Sequence, residues 1–126
     1  MSERLFRRLS PFLQEFIFAQ EWEGFRPIQL AACEVIFDSA DHLLLSSATA
    51  SGKTEAAFLP ILTLLEEAPS SSVGVLYISP LKALINDQFG RLSDLLRHAD
   101  LDVFPWHGDI SRSRKQALLK HPRGLL

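Results

Sequence analysis

Short apolar runs alternating with stretches of helical period constrain this chain more than any other feature. Leu43-Leu44-Leu45 is too short for a helix and is bounded by polar turn-formers, so it reads as a buried strand; the β-branched, aromatic and apolar run 73–78 reads as a second strand and residues 101–106 as a third. Helical segments lie between and before them. Ser10-Pro11 gives an N-cap followed by proline at the first helical position, and Phe12, Leu13, Phe16 and Ile17 recur at helical spacing to about Gln20. Gly24 breaks that helix, and Pro27 restarts one whose stripe is Ile28, Leu30, Ala31, Val35 and Ile36. Residues 55–67 suit a packed helix through Ala56, Ala57, Phe58, Leu59, Leu62 and Leu65, with Pro60 expected to kink it or mark an early turn. Another helix is expected from Leu81 to about His98, with Leu84, Ile85, Phe89, Leu92, Leu95 and Leu96 on one face, and a basic one runs from Ser111 to about Lys120. Gly124-Leu125-Leu126 reads as the first step of a fourth strand. Strands separated by helices predict an α/β fold with a mostly parallel sheet flanked by helices. In such sheets ligands gather at the carboxyl ends of the strands, where the loops 46–54, 79–82 and 107–109 converge.

Composition narrows the class further. At 126 residues, 47% hydrophobic and 22% charged, the chain has the make-up of one soluble globular domain, not of a disordered, collagenous or coiled-coil protein. The longest apolar stretch, residues 58–65, is interrupted by Pro60 and Thr63 and falls far short of the ~20 residues of a membrane span. Residues 1–20 carry Arg4, Arg7 and Arg8 beside Glu3 and Glu15 and lack an apolar run with a cleavage site, so they read as mature structure. The single cysteine, Cys33, cannot form an internal disulfide; it reads as a buried structural thiol in a reducing, cytoplasmic setting. Residues 111–126 hold five of the thirteen Lys and Arg and none of the fifteen acids. That basic cluster is either a solvated helix face or a phosphate-contacting surface.

Ser47-Ala48-Thr49-Ala50-Ser51-Gly52-Lys53-Thr54 lies between an expected strand and an expected helix, where a phosphate cradle must lie. Unpaired N–H groups and a partial positive charge at a helix start hold anions without any side chain. Lys53 would add a cation for terminal phosphates, Thr54 a hydroxyl for phosphate-bound Mg2+, and Gly52 close backbone approach. The full phosphate-loop pattern asks for glycine at position 47, where this chain has Ser47, so an ordinary βα loop with an exposed lysine stays open as the alternative.

Four blocks in order carry a family resemblance. Phe25-Arg26-Pro27-Ile28-Gln29, the 48–62 segment, Ile78-Ser79-Pro80-Leu81-Lys82-Ala83-Leu84-Ile85-Asn86-Asp87-Gln88 and His107-Gly108-Asp109 resemble the opening half of the first RecA-like lobe of a superfamily-two DEAD/DEAH-box helicase. Pro-Leu-Lys-Ala-Leu and His-Gly-Asp are most similar to the Lhr-like branch. The resemblance covers nearly all of the chain from Trp22 onward and implies a truncated P-loop NTPase lobe, residues 1–126, with residues 1–24 as a helical lead-in.

The resemblance also implies roles. Gln29 matches a glutamine whose amide, donor and acceptor together, suits adenine. Phe25 and Arg26 match its neighbours near the base, while Trp22 reads as core packing. Thr49, Ala50, Ser51, Gly52, Lys53 and Thr54 match the Walker A loop that holds ATP, with Mg2+ reached through Thr54 and the phosphates. Pro80, Leu81 and Lys82 match a motif that tracks a DNA or RNA backbone, Asp87 and Gln88 complete it by fixing the loop, and Gly108 matches a turn against the strand. Arg112 and the basic cluster join that surface, whose binding is expected to be salt-dependent and nearly sequence-blind. His107 is open between a structural and a functional role.

Two departures qualify the match. Ala50 replaces the usual glycine, at a cost of ~1 kcal/mol if position 50 needs a positive φ. The acidic Walker B box and the second lobe with its arginine finger are not in these 126 residues. Loss of the arginine alone typically costs ~10³-fold or more in rate. The expected function is thus that of an ATP-binding segment of an ATP-dependent nucleic-acid helicase that hydrolyses ATP poorly by itself. An unpaired sheet edge would favour self-association. Two alternatives stay open: a non-catalytic module that binds nucleic acid or a partner, and another P-loop kinase or NTPase.

Overall fold

The computed structural model describes residues 2–48 and 52–126, so the expectations for Thr49, Ala50 and Ser51 lie outside the described residues. The chain forms two compact units, Met1–Glu67 and Ala68–Leu126.

The first unit holds α1 (Glu3–Arg8), α2 (Pro11–Ala19), α3 (Pro27–Asp38) and α4 (Lys53–Glu67). The short α1 is not foreseen from apolar periodicity, although its end signals are present. The Ser2 side chain accepts from the Leu5 N–H, Glu3 stands in the first turn, and Arg7 and Arg8 stand in the last. Helix α2 buries Phe12, Leu13 and Ile17, as its spacing implies. Helix α3 packs on α4, but the stripe expected on it is rotated. Its buried residues are Gln29, Ala32 and Cys33, while Leu30 is exposed. The buried positions 32 and 33 carry small side chains, and α4 buries Ala56, Leu59 and Leu62.

Pro60 lies inside α4 and does not end it, and its ring is fully buried. One turn on, the buried Thr63 hydroxyl donates to the Leu59 carbonyl at 2.8 Å and accepts from the Ser10 N–H at 3.2 Å. A helix start leaves such N–H groups without intrahelical partners, so Thr63 satisfies at α2 what the helix itself cannot. Arg8 forks onto the Glu67 carboxylate and lies over the Phe37 ring at 4.2 Å.

The second unit holds α5 (Lys82–Leu95) and α6 (Arg112–Lys120). Helix α5 buries Leu92 and Leu95, with Leu96 buried just beyond; Ile85 and Phe89 are half-buried and Leu84 is exposed. Ser111 caps α6 by accepting from the Arg114 N–H, and Leu118 is its buried residue.

The strands are the principal correction. Among the described residues none of the expected runs, 43–45, 73–78, 101–106 and 124–126, forms a strand. Two isolated parallel bridges stand in their place, Val75 with Leu125 and Val103 with Leu125. Residues 124–126 run between the two longer segments. Leu126 N–H donates to Val75 O and Tyr77 N–H to Leu126 O on one side; Leu125 N–H donates to Asp102 O and Phe104 N–H to Leu125 O on the other. A segment of three residues can complete only one bridge with each neighbour, so no ladder propagates. Gly124, at φ +68°, makes the close approach possible, since a Cβ there would stand 2.0 Å from the Asp102 carbonyl oxygen. Leu43-Leu44-Leu45 has apolar character without burial: Leu44 is 90% exposed. Apolar content alone therefore overstates these runs, because a strand exists only through a partner.

Candidate functional site

In the first unit the site is built where α3 and α4 begin. Pro27 fixes the backbone at the first position of α3, and Gln29 at the third reaches back so that its Oε1 accepts from the Arg26 N–H at 2.9 Å. This bond orients the amide, whose Nε2 then points at the residue before α4. A Cβ built on Gly52 would stand 2.6 Å from Gln29 Nε2 and 3.2 Å from Arg26 Cδ, and Gly52 has φ +84°. Glycine is required there twice, by backbone conformation and by space. Gln29 is buried, with 2% of its surface exposed.

Lys53, the first residue of α4, turns its ammonium back onto the Ser47 carbonyl at 2.8 Å. The lysine thus ties the first residue of α4 to Ser47. Thr54 follows at the second position of α4. Phe25 stands edge-on to Trp22 at 6.3 Å, and Trp22 edge-on to Phe16 at 6.0 Å, so Trp22 joins an aromatic row as expected. Of the residues the sequence nominated here, the fold brings Arg26, Gln29 and Gly52 together. Cys33, one turn beyond Gln29, is buried, and burial pushes its thiol up to about 12.

In the second unit the site is built at the start of α5. Pro80 and Leu81 stand exposed before it, and Lys82 is its first residue. The Lys82 ammonium reaches the Asp109 carboxylate at 3.0 Å, and a Cβ on Gly108 would lie 4.0 Å from Lys82 Cε. Two motifs separated by 27 residues of chain therefore meet through their side chains. Hydrogen bonding to Lys82, then its charge, hold the Asp109 carboxyl below the usual carboxylate range.

His107 secures this turn from both ring nitrogens. The Asp109 N–H donates to Nδ1 at 3.2 Å, which makes Nδ1 an acceptor and leaves the proton on Nε2, 3.0 Å from Asn86 Oδ1. The Ile110 N–H closes the turn on the His107 carbonyl. Beside Asp87 and Gln88, which sequence reasoning named as fixing the loop, Asn86 on α5 also reaches the turn, through His107. Its signal was its position one helical turn after Lys82, on the same face. Arg112 is exposed at the first position of α6, and Lys115 on that helix lies 5.1 Å over the Trp106 ring.

The first unit thus sets a buried glutamine against the glycine before Lys53-Thr54, and the second sets a lysine-led helix start beside a His-Gly-Asp turn. The DEAD/DEAH box helicase family model matches residues 26–126, and the chain belongs to this family. Among individual proteins it is similar to the ATP-dependent helicase Lhr-Core of Saccharolobus solfataricus, at 35% identity over 98% of this chain and 15% of that protein. It is also similar to the U5 small nuclear ribonucleoprotein 200 kDa helicase of Caenorhabditis elegans, at 31% identity over 75% of this chain and 5% of that protein. In fold it matches the DUF1998 helicase MrfA bound to DNA and AMPPNP, with a TM-score of 0.83 and 23% identity over 99% of this chain and 17% of that one. The chain thus spans a small part of the curated relatives it matches. No helix among the described residues is long and apolar enough to cross a membrane.

Proposed function

We propose that this chain is the ATP-gripping and first strand-contacting part of an ATP-dependent nucleic-acid helicase, within the first RecA-like lobe, with residues 1–24 as its helical lead-in. The observation that carries the reading is the packing of Gln29 against Gly52, which couples a base-reading amide to a phosphate loop. In this reading Phe25, Arg26 and Gln29 face adenine, and Thr49, Ala50, Ser51, Gly52, Lys53 and Thr54 hold the phosphates. The donor set suits a polyphosphate: a glycine with positive φ, a helix start and a lysine whose ammonium already meets an oxygen. Bound Mg2+ would neutralise phosphate charge, with the Thr54 hydroxyl as this chain's contribution.

Pro80, Leu81, Lys82, Gly108 and Arg112 form the nucleic-acid surface, for DNA or RNA, through phosphate and sugar contacts that ignore sequence. The two parallel bridges through Leu125 support a mostly parallel sheet as the architecture of the second unit. The solvent-facing Leu44, Leu76 and Ile78 favour association with a partner or another copy, readable as a concentration-dependent sedimentation coefficient. The lone buried Cys33 suits a reducing cytoplasm.

Nucleotide titration followed by calorimetry tests the reading. ATP is expected to bind weakly, GTP more weakly still, with binding lost in Lys53→Ala and base preference lost in Gln29→Ala. Equal affinity for ATP and GTP, unchanged by Gln29→Ala, would overturn the adenine assignment. Turnover at the rate of a whole helicase, lost in Lys53→Ala, would overturn the view that this segment hydrolyses ATP poorly alone.

A further inference from the structure

We propose that Asp109 is a built-in competitor of nucleic-acid phosphate, occupying the Lys82 ammonium until a strand displaces it. This rests on the reading of Lys82 as a phosphate contact and adds a residue that sets affinity. Three observations carry it. The Asp109 carboxylate lies 3.0 Å from Lys82 Nζ, where a phosphate oxygen would have to stand to pair with that ammonium. Lys82 opens α5, whose first N–H groups and dipole add attraction for whichever anion is present. The competitor is also held in place: Asp109 N–H donates to His107 Nδ1, and His107 Nε2–H donates to Asn86 on α5.

Carboxylate and ammonium are both more than half exposed, so water and salt screen the pair and an incoming phosphate can replace the acid at small cost. The wild-type chain then exchanges one anion for another at Lys82. Removing the acid leaves Lys82 with mobile counterions, which a strand releases on binding. Asp109 therefore lowers affinity and also flattens its salt dependence.

Fluorescence anisotropy of the 126-residue chain with labelled oligo(dT) and oligo(rU) tests this, with circular dichroism as the check on folding. Asp109→Asn is expected to bind about two- to five-fold more tightly, the range of a solvent-exposed ion pair. Its log–log salt slope is expected to steepen by about 0.7, one phosphate contact on a single strand. Lys82→Ala/Asp109→Asn is expected to show neither gain relative to Lys82→Ala, and Asp100→Asn, an exposed acid without that partner, is expected to change affinity less. Asn86→Ala, which frees His107, gives an independent variant with a smaller gain in the same direction. Weaker or unchanged binding by Asp109→Asn would overturn the proposal, assigning Asp109 to positioning Lys82. A gain that survives in the double variant would overturn it too, as a general charge effect. If Lys82→Ala leaves the wild-type affinity unchanged, the phosphate reading of Lys82 itself fails, and the proposal with it.

Discussion

Gln29 and Gly52 are fitted to each other: the amide nitrogen of one occupies the space a Cβ would need on the other, at 2.6 Å. Because the Gln29 oxygen is already bonded to the Arg26 N–H, the amide cannot turn aside without breaking that bond. The start of α3 thereby sets the position of Gly52 before α4.

Gly52→Ala is accordingly expected to destabilise the chain by about 2 kcal/mol, from the left-handed backbone and the displaced glutamine together. Urea unfolding checks this, and Gly52→Ala combined with Gln29→Ala is expected to recover part of the loss. An alanine variant as stable as the wild type would mean the loop relaxes freely.

Thr63→Val keeps the shape of the side chain and removes the acceptor of the buried Ser10 N–H. An unsatisfied buried donor costs about 1–3 kcal/mol, so the urea midpoint is expected to fall by a corresponding amount. Thr63→Ser, which keeps the hydroxyl, is expected to lose less than Thr63→Val.

The Lys82–Asp109 pair gives a pH dependence of known sign. The carboxyl is held below its ordinary range in the folded chain, so its contribution is present above the ordinary value of ~3.9 and is lost as pH falls through the depressed folded value. Between pH 5 and 8 this pair should be pH-independent. Carboxyl-carbon NMR titration is expected to place Asp109 below a typical aspartate and to return it toward one in Lys82→Ala.

Cys33 should be inert. Its thiol is buried and pushed up to about 12, so almost no thiolate exists at neutral pH. Reaction with a disulfide reagent is expected to be slow in the folded chain and rapid in urea. Rapid labelling without unfolding would show that the α3 face opens.

Gly52 and Lys53 were legible from local signals, because the chemistry of a helix start is written in consecutive residues, whereas Gln29 and Lys82 were named through the family resemblance. Asn86 and Asp109 were not assigned a partner, because their bonds join segments that lie twenty or more residues apart. No period in the sequence records such a meeting.

The sequence alone determined where α2, α3, α4 and α6 begin, since caps, prolines and the Gly-Lys-Thr opening act within a few residues of themselves. It also led to the expectation of four strands, through β-branched and apolar content, none of which forms among the described residues. Tertiary structure decided the rest. It turned α3 so that Gln29, Ala32 and Cys33 face inward and Leu30 outward, and it left two isolated bridges at Leu125 joining three of the four runs. The physical reason is common to both: helices close their hydrogen bonds within themselves, whereas a buried face and a strand are each defined by what lies opposite.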